Sequence, residues 1–240
     1  MFELFLGFTI PFLGTTLGAG LVFFSTNHIN KNTHSLITGF SAGIMLAASI
    51  WSLLIPAINN SAHLNQLSWI PASIGLLAGF LFLFAIDKIV PEKQNNLMFL
   101  AINIHNIPEG MAVGVALASV FCNSSTTASA ITLAIGIAIQ NFPEGSIISL
   151  PLHSSGLSKS KSFLQGIYSA SIEPIAAVVT FFISSLVSNI FPYILSFAAG
   201  TMIYVVINEV LPESQTNKKL STIGFFTGFL VMMILDVMLS

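Results

Sequence analysis

The sequence predicts an all-α integral membrane protein with eight transmembrane helices and both termini on the outer side. Hydrophobic residues make up 54% of the 240-residue chain and charged residues only 7%, against about 25% charged in an ordinary soluble domain. Apolar runs of about 20 residues, the length that crosses a bilayer, recur between short polar breaks. The basic residues fall in alternate breaks.

Each predicted helix is an apolar run that ends where polar residues cluster. The first run carries Glu3 in place of a basic n-region and is too long for a cleaved signal peptide, so we keep it as a span. We treat residues 1–240 as a single transmembrane domain. The eight predicted spans cover residues 2–24, 35–58, 70–90, 97–121, 127–152, 162–184, 190–212 and 220–240.

The lysines orient the chain. All seven basic residues lie in or beside the odd-numbered loops, at Lys31, Lys88, Lys93, Lys159, Lys161, Lys218 and Lys219. Short basic loops stay in the cytoplasm, so the odd loops lie inside and both termini outside. A seven-span alternative would mix basic and uncharged loops on both sides.

Composition also excludes several function classes. A nucleic-acid binder needs a basic face, which a chain with seven lysines and no arginine lacks. The single cysteine, Cys122, rules out an internal disulfide and a thiolate metal cluster. Glycine pairs spaced four apart predict close helix packing in spans 1, 3 and 8, namely Gly14 with Gly18, Gly75 with Gly79 and Gly224 with Gly228.

Two short motifs recur on spans of opposite direction. Span 4 contains HNIPEG at 105–110, and span 5 contains QNFPEG at 140–145. Span 2 contains FSAGIM at 40–45, and span 7 contains FAAGTM at 197–202. Together they predict an inverted 3+2+3 repeat around a central pair of spans 4 and 5, an architecture typical of transporters with a midplane site.

Three carboxylates, Glu109, Glu144 and Glu173, fall near the middle of predicted spans. A charge at the bilayer centre costs about 2.5 to 3.5 kcal/mol on insertion scales. No lysine lies at that depth in the predicted topology. Protonation or a bound cation must therefore compensate these groups.

The neighbouring side chains favour a cation. His105 and Gln140 each precede the glutamate of their motif by four residues, which places them on the same helix face. Asn106 and Asn141 can add amide oxygens. Imidazole nitrogen with carboxylate and amide oxygen suits zinc and other divalent first-row metals. Pro108 and Pro143 free backbone carbonyls that could face the ion.

Other candidates are less specific. Asp87, Asn208 and Glu209 could form a cytoplasmic exit, although Asp87 could equally pair with Lys88 or lipid headgroups. Asn59 and Asp236 could shape an outer entrance.

Single residues elsewhere have simpler interpretations. Met45 is more often gap-filling core than a ligand. The remaining histidines lie in loops or at helix ends, and we interpret them as solvated: His28, His34, His63 and His153.

At these residues the sequence resembles the ZIP (Zrt/Irt-like) family of divalent-metal transporters and its GufA-like subgroup. The resemblance spans the whole chain. It rests on the HNIPEG motif, on QNFPEG followed by Ser-Leu-Pro-Leu at 149–152, and on Ser-Ile-Glu-Pro at 171–174.

The resemblance implies uptake of zinc or a related metal into the cytoplasm by a homodimer, with helices 1, 4, 5 and 6 moving against 2, 3, 7 and 8. It implies a primary site formed by His105, Glu109, Gln140, Glu144 and Met45. It also implies an adjacent second site completed by Asn106, Asn141 and Glu173, with Glu109 and Glu144 bridging the two.

Two departures from the family pattern bear on the metal. Most of the family has histidine at the position of Gln140, whose neutral amide oxygen should weaken or broaden metal preference. Some GufA-like members have aspartate at the position of Asn141. Without that carboxylate, two bound ions per protomer would share only three carboxylates here. The third loop also lacks the histidines found in many relatives.

We therefore expect a transporter of Zn²⁺, Cd²⁺, Fe²⁺ or Mn²⁺, with the metal as substrate and no cofactor, in a lipid bilayer that we take to be a bacterial inner membrane. Protonation of the empty site would couple release to pH. An intramembrane metal-dependent hydrolase is an alternative, but the chain has no HExxH motif. A proton-coupled solute carrier and a cation channel are further alternatives.

Overall fold

The protein is described here by a computed structural model that covers residues 2–25, 30–89, 94–121, 126–187 and 190–239. Throughout these ranges every regular element is helical, which confirms the predicted all-α class. Lys93, Cys122 and His28 lie outside the described residues.

The described residues form eight long helical runs at the positions that the apolar runs predict. We number them in chain order: α1 (Phe2–Gly20), α2 (Lys31–Ala48 and its continuation), α3 (Trp69–Ile89), α4 (Gln94–Phe121), α5 (Thr127–Ser154), α6 (Lys159–Val187), α7 (Phe191–Val205 and its continuation) and α8 (Lys218–Leu239). A short 3₁₀ turn, Leu21–Phe23, follows α1.

Helices α2 and α7 share an irregularity that their sequences did not predict. The run α2 passes through a π-helical stretch, Ser49–Leu54, and ends with Ile55–Asn60. The run α7 passes through another, Val206–Val210, and ends with Leu211–Ser214. Each stretch begins nine residues after the first residue of the FSAGIM or FAAGTM motif. Such π-bulges are frequent at functional sites.

Small residues set the helix packing, as the glycine spacing predicts. Helix α1 packs along α5, and α4 packs along α6. A Cβ atom on Gly14 or Gly18 would overlap the backbone of Ala138 or Phe142 on α5. These glycines therefore serve close packing between helices.

The other two helix pairs share one type of contact, in which a glycine of one helix meets the first residue of a motif on the other. Helix α3 packs along α7, and α2 packs along α8. A Cβ on Gly79 would overlap the carbonyl oxygen of Phe197, and a Cβ on Gly228 would overlap that of Phe40. Phe40 and Phe197 are the first residues of the two matching motifs.

The apolar core has two parts. A larger cluster centres on α2 and α7 and reaches Ala112 of α4 and Ile147 of α5. A smaller cluster joins α1, α4, α5 and α6 around Val113, Leu117 and Ile137. Helices α4 and α5 contribute to both clusters and so lie between the two groups of helices.

Six segments of the described chain are long and apolar enough to cross a membrane. One of them, Phe191–Met238, runs over 48 residues and includes both α7 and α8. Helix α4 is not among the six and contributes a shorter apolar stretch, Glu109–Ala118. These helices make the chain an integral membrane protein.

Candidate metal site

The three intramembrane carboxylates come together in the structure. Glu109 lies on α4, Glu144 on α5 and Glu173 on α6, with exposed fractions of 0%, 2% and 1%. Glu109 and Glu144 both lie close enough to Glu173 to interact with it. Three adjacent helices thus each contribute one buried carboxyl group to a common region.

Amide groups of α5 bridge this region. Gln140 Nε2 donates a hydrogen bond to Glu109 Oε1 on α4. Asn141 Nδ2 donates to Glu173 Oε2 on α6 over 2.7 Å. One turn of α5 therefore joins α4 and α6 through two amide–carboxylate bonds.

Several buried oxygen atoms in this region lack a hydrogen bond. Asn106 Nδ2 donates to the carbonyl and hydroxyl oxygens of Ser169, each over 3.3 Å. These bonds do not involve the Oδ1 atom of Asn106. Oδ1 of Asn106, Oδ1 of Asn141, Oε1 of Gln140 and Oε1 of Glu173 have no hydrogen-bond partner among the described residues. Buried oxygens are normally satisfied, and a cation can satisfy them.

Glycines next to the glutamates let other helices approach. A Cβ on Gly110 would overlap the carbonyl oxygen of Glu173 on α6, and a Cβ on Gly145 would overlap that of Thr15 on α1. Thr15 is fully buried, and its hydroxyl has no hydrogen-bond partner within the described part of the chain. Thr15 was not predicted from the sequence, although its place beside Gly14 was a signal for a buried helix face.

The two remaining predicted ligands are His105 and Met45. His105 lies on α4, but its side chain is outside the described part of the structure. Met45 is 2% exposed and belongs to the apolar cluster that includes Ala112 and Ile147, as expected for a core residue.

The arrangement of the donors is not that of a completed metal centre. Among the described side chains, no three histidine, cysteine, aspartate or glutamate groups are arranged to hold one ion. The amides of Gln140 and Asn141 bond to two of the carboxylates instead. A metal ion at this place would have to displace these amide donors or use the amide oxygens.

At the lysine-bearing end, the predicted exit residues do meet. Tyr204 Oη donates to Asp87 Oδ2 over 2.7 Å, and Asn208 and Glu209 lie close to the same hydroxyl. The Nζ atom of Lys88 lies over the Phe84 ring, 4.3 Å from the ring centroid, and is not paired with Asp87 in the described structure. Tyr204 was not predicted; its position four residues before Asn208 was the available signal.

At the opposite end, the described part of the chain provides a hydrogen-bond partner for Asp236, one of the two predicted entrance residues. Ser52 Oγ, within the π-helical stretch of α2, donates to Asp236 Oδ1 of α8 over 2.7 Å. Asn59 is exposed and is not a hydrogen-bond partner of Asp236 in the described structure. The structure therefore joins Asp236 to Ser52 and not to Asn59.

Comparison with known proteins identifies the family. A family described as ZIP Zinc transporter matches residues 93–236. The chain belongs to the ZIP family. It is 32% identical to Zinc transporter ZIP11 of Homo sapiens, over 99% of this chain and 97% of the relative. It is 33% identical to Zinc transporter ZIPB of Bordetella bronchiseptica, over 98% of this chain and 81% of the relative.

A third relative supports the expected subgroup. The chain is 30% identical to Zinc transporter GufA of Myxococcus xanthus, over 95% of this chain and 96% of the relative. The resemblance to ZIP transporters with GufA-like members is thus confirmed. The HNIPEG and QNFPEG motifs on which the resemblance rests contain the buried residues Glu109 and Glu144 of this ZIP protein.

Proposed function

We propose that this ZIP protein transports zinc or a related divalent metal ion across the membrane into the cytoplasm. The observation that carries this proposal is the convergence of Glu109, Glu144 and Glu173 from three helices in the membrane-buried core. The relatives are named as zinc transporters. Neither the family nor these names indicate an enzyme, and the hydrolase alternative is set aside.

The ligands of the transported ion come from α4, α5 and α6, together with Met45 of α2. Glu109 and Glu144 bridge two positions, the first completed by His105, Gln140 and Met45, the second by Asn106, Asn141 and Glu173. The buried amide oxygens and the second oxygen of Glu173 support this assignment. Zinc accepts such nitrogen and oxygen donors, and two ions per protomer would share the bridging carboxylates.

The proposed topology has eight crossings with both termini outside. Phe191–Met238 has 48 residues, or about 72 Å as one straight helix, more than twice a hydrocarbon core of about 30 Å. Two crossings, α7 and α8, separated by the turn Gln215–Asn217, resolve this mismatch. Helix α4, with 28 residues, supplies the eighth crossing, because its described polar side chains Asn106 and Glu109 are buried in the protein.

The inverted repeat is supported by the equivalent glycine contacts and the equivalent π-helical stretches. In this arrangement α1 to α3 correspond to α6 to α8, around the central pair α4 and α5. The two apolar clusters fit a movement of α1, α4, α5 and α6 against α2, α3, α7 and α8. We also propose a homodimer, which the family resemblance implies, in a bacterial inner membrane, which the short loops favour.

The path of the ion follows from the polar groups at each end. An ion enters past Asp236, with Asn59 on the exposed rim. The buried carboxylates then replace its water ligands. These carboxylates neutralise the ion at a depth where its charge would otherwise be costly. It leaves past Asp87, Asn208 and Glu209. Exchange of the ion for protons on the carboxylates would couple release to pH.

Metal uptake into proteoliposomes tests this function. The purified protein and a Glu109→Ala, Glu144→Ala double variant are compared for Zn²⁺, Cd²⁺, Fe²⁺ and Mn²⁺ entry. An Asn60→Ala variant, altered at an exposed helix end, is the matched control. We expect saturable uptake by wild type and Asn60→Ala and none by the double variant. Uptake equal to that of empty liposomes for every metal would overturn the proposal.

A further inference from the structure

A cavity opens at the lysine-bearing end of the molecule between α2, α5 and the end of α7. The cavity is small and partly open to the surroundings. Polar groups line it from three elements: His34 and Thr38 of α2, Ser146 of α5, and Glu213 at the end of α7. From the sequence, His34 was interpreted as a solvated residue, and Glu213 was not predicted to belong to a site.

His34 and Glu213 form a pair at this cavity. His34 Nε2 lies 3.4 Å from Glu213 Oε1, and the two side chains are 29% and 33% exposed. This partial exposure differs from the buried state of Glu109, Glu144 and Glu173. An ion held here would keep access to water.

The cavity begins next to the central carboxylates. Ile147 and Pro151, three and seven residues after Glu144, lie on the same face of α5 as Glu144, and both line the cavity. Ile147 is displaced from Glu144 by about 4.5 Å along the helix axis. An ion that leaves Glu144 toward the lysine-bearing end would therefore meet this cavity first.

We propose that His34 and Glu213 form a second, weaker binding station for the divalent metal ion on its way to the cytoplasm. This inference rests on the proposed function. Imidazole nitrogen and carboxylate oxygen are both zinc ligands. With only two protein donors, water completes the coordination, so the ion is held briefly and released.

The alternative is a purely structural role, in which the His34–Glu213 ion pair only stabilises the packing of α2 against α7. A His34→Lys variant separates the two roles, because lysine retains a cation beside Glu213 but its ammonium group has no lone pair for a metal. A Glu213→Gln variant removes the charge with little change in volume. Thermal unfolding in detergent shows whether each variant is folded.

The first readout is the initial rate of Zn²⁺ uptake into proteoliposomes. The station predicts that His34→Lys and Glu213→Gln each lower the maximal rate by about tenfold, the scale on which loss of metal-site contacts acts. The half-saturating external concentration should stay unchanged, because capture occurs at the other end. A His34→Lys variant that transports like wild type would overturn the station.

The second readout is Zn²⁺ binding by equilibrium dialysis, in the Glu109→Ala, Glu144→Ala background that lacks the central site. We expect a weak binding site that disappears when His34→Lys is added. Binding that is the same with and without His34 contradicts the station even if wild type transports zinc. Binding that requires His34 in a protein that transports no metal would support the station and reject the proposed function.

Discussion

Asn141 of α5 donates a hydrogen bond to Oε2 of Glu173 on α6 over 2.7 Å. Its neighbour Gln140 donates in the same way to Glu109 on α4. Hydrogen bonds to charged groups contribute about 1.5 to 3 kcal/mol each. The carboxylate oxygens that would bind a metal ion thus also hold three helices together, and an ion that binds them must replace these bonds.

Replacement of Asn141 by aspartate should convert this bond into a repulsion that metal relieves. Two adjacent buried carboxylates disfavour each other's charge, so Asn141→Asp should lower thermal stability without added metal. The same variant should be stabilised more strongly by Zn²⁺ than wild type, because metal that binds only the folded state raises its stability. The measurement is the unfolding temperature in detergent over a Zn²⁺ titration.

Asn60→Asp provides the control for the added charge, since Asn60 is exposed at the end of α2. Asn60→Asp loses the exposed hydrogen bond from Asn60 Nδ2 to the Pro56 carbonyl oxygen, but the rise of its unfolding temperature with Zn²⁺ should equal that of wild type. Equal Zn²⁺ stabilisation of Asn141→Asp and wild type would show that position 141 does not face the ion.

Replacement of Gln140 by histidine should tighten zinc binding and narrow the metal preference. Imidazole is a stronger ligand than an amide oxygen for zinc, whereas oxygen donors suit Mn²⁺ better. We expect the half-saturating Zn²⁺ concentration for uptake to fall by about tenfold, a change of about 1.4 kcal/mol. Competition between Zn²⁺ and Mn²⁺ in the proteoliposome assay measures the preference. An unchanged ratio between the two metals would remove Gln140 from the ligand set.

Gly145 and Gly136 offer a matched pair on α5. A Cβ on Gly145 would overlap the carbonyl oxygen of Thr15, whereas a Cβ on Gly136 would meet nothing within 4 Å. Overpacking of this kind costs about 1 to 3 kcal/mol. Gly145→Ala should therefore be less stable than wild type, while Gly136→Ala should be equal or slightly more stable, because alanine favours helix by about 1 kcal/mol.

The unfolding free energy or midpoint in one detergent measures both variants. A stable Gly145→Ala protein would mean that α1 can move away from α5 at little cost. Zinc uptake by Gly145→Ala should also fall, since Thr15 packs directly beside the motif that carries Glu144.

Much of this arrangement could be predicted from the sequence. The positions of the helices follow from apolar runs, because a bilayer requires long uninterrupted segments. The convergence of Glu109, Glu144 and Glu173 follows from the cost of burying charge, which favours placing such groups together in the protein interior. The packing of Gly14, Gly18 and the other paired glycines follows from their spacing.

Contacts between distant segments could not be predicted. The bond from Tyr204 to Asp87 and that from Ser52 to Asp236 join helices whose relative rotation no periodicity in a single sequence determines. The π-helical stretches change that rotation locally. The pairing of His34 with Glu213 depends on the same unseen geometry, because His34 alone has the sequence context of a solvated helix end.

Removal of the charge of Asp236 should weaken capture of the ion at the end opposite to the lysines. Asp236→Asn retains an oxygen that accepts the hydrogen bond from Ser52 Oγ, so it removes charge and preserves shape. A negative group at an entrance raises the local cation concentration, and we expect the half-saturating Zn²⁺ concentration to rise by about tenfold at low salt. The maximal rate should not change, because the central carboxylates are intact.

Ser52→Ala, which retains the charge and loses the hydrogen bond, should leave capture nearly normal. Asp236 is partly buried and its Oδ2 atom is inaccessible, so added salt should screen its charge only weakly. Capture of Zn²⁺ by Asp236→Asn with the wild-type half-saturating concentration would show that the charge of Asp236 does not act at the entrance.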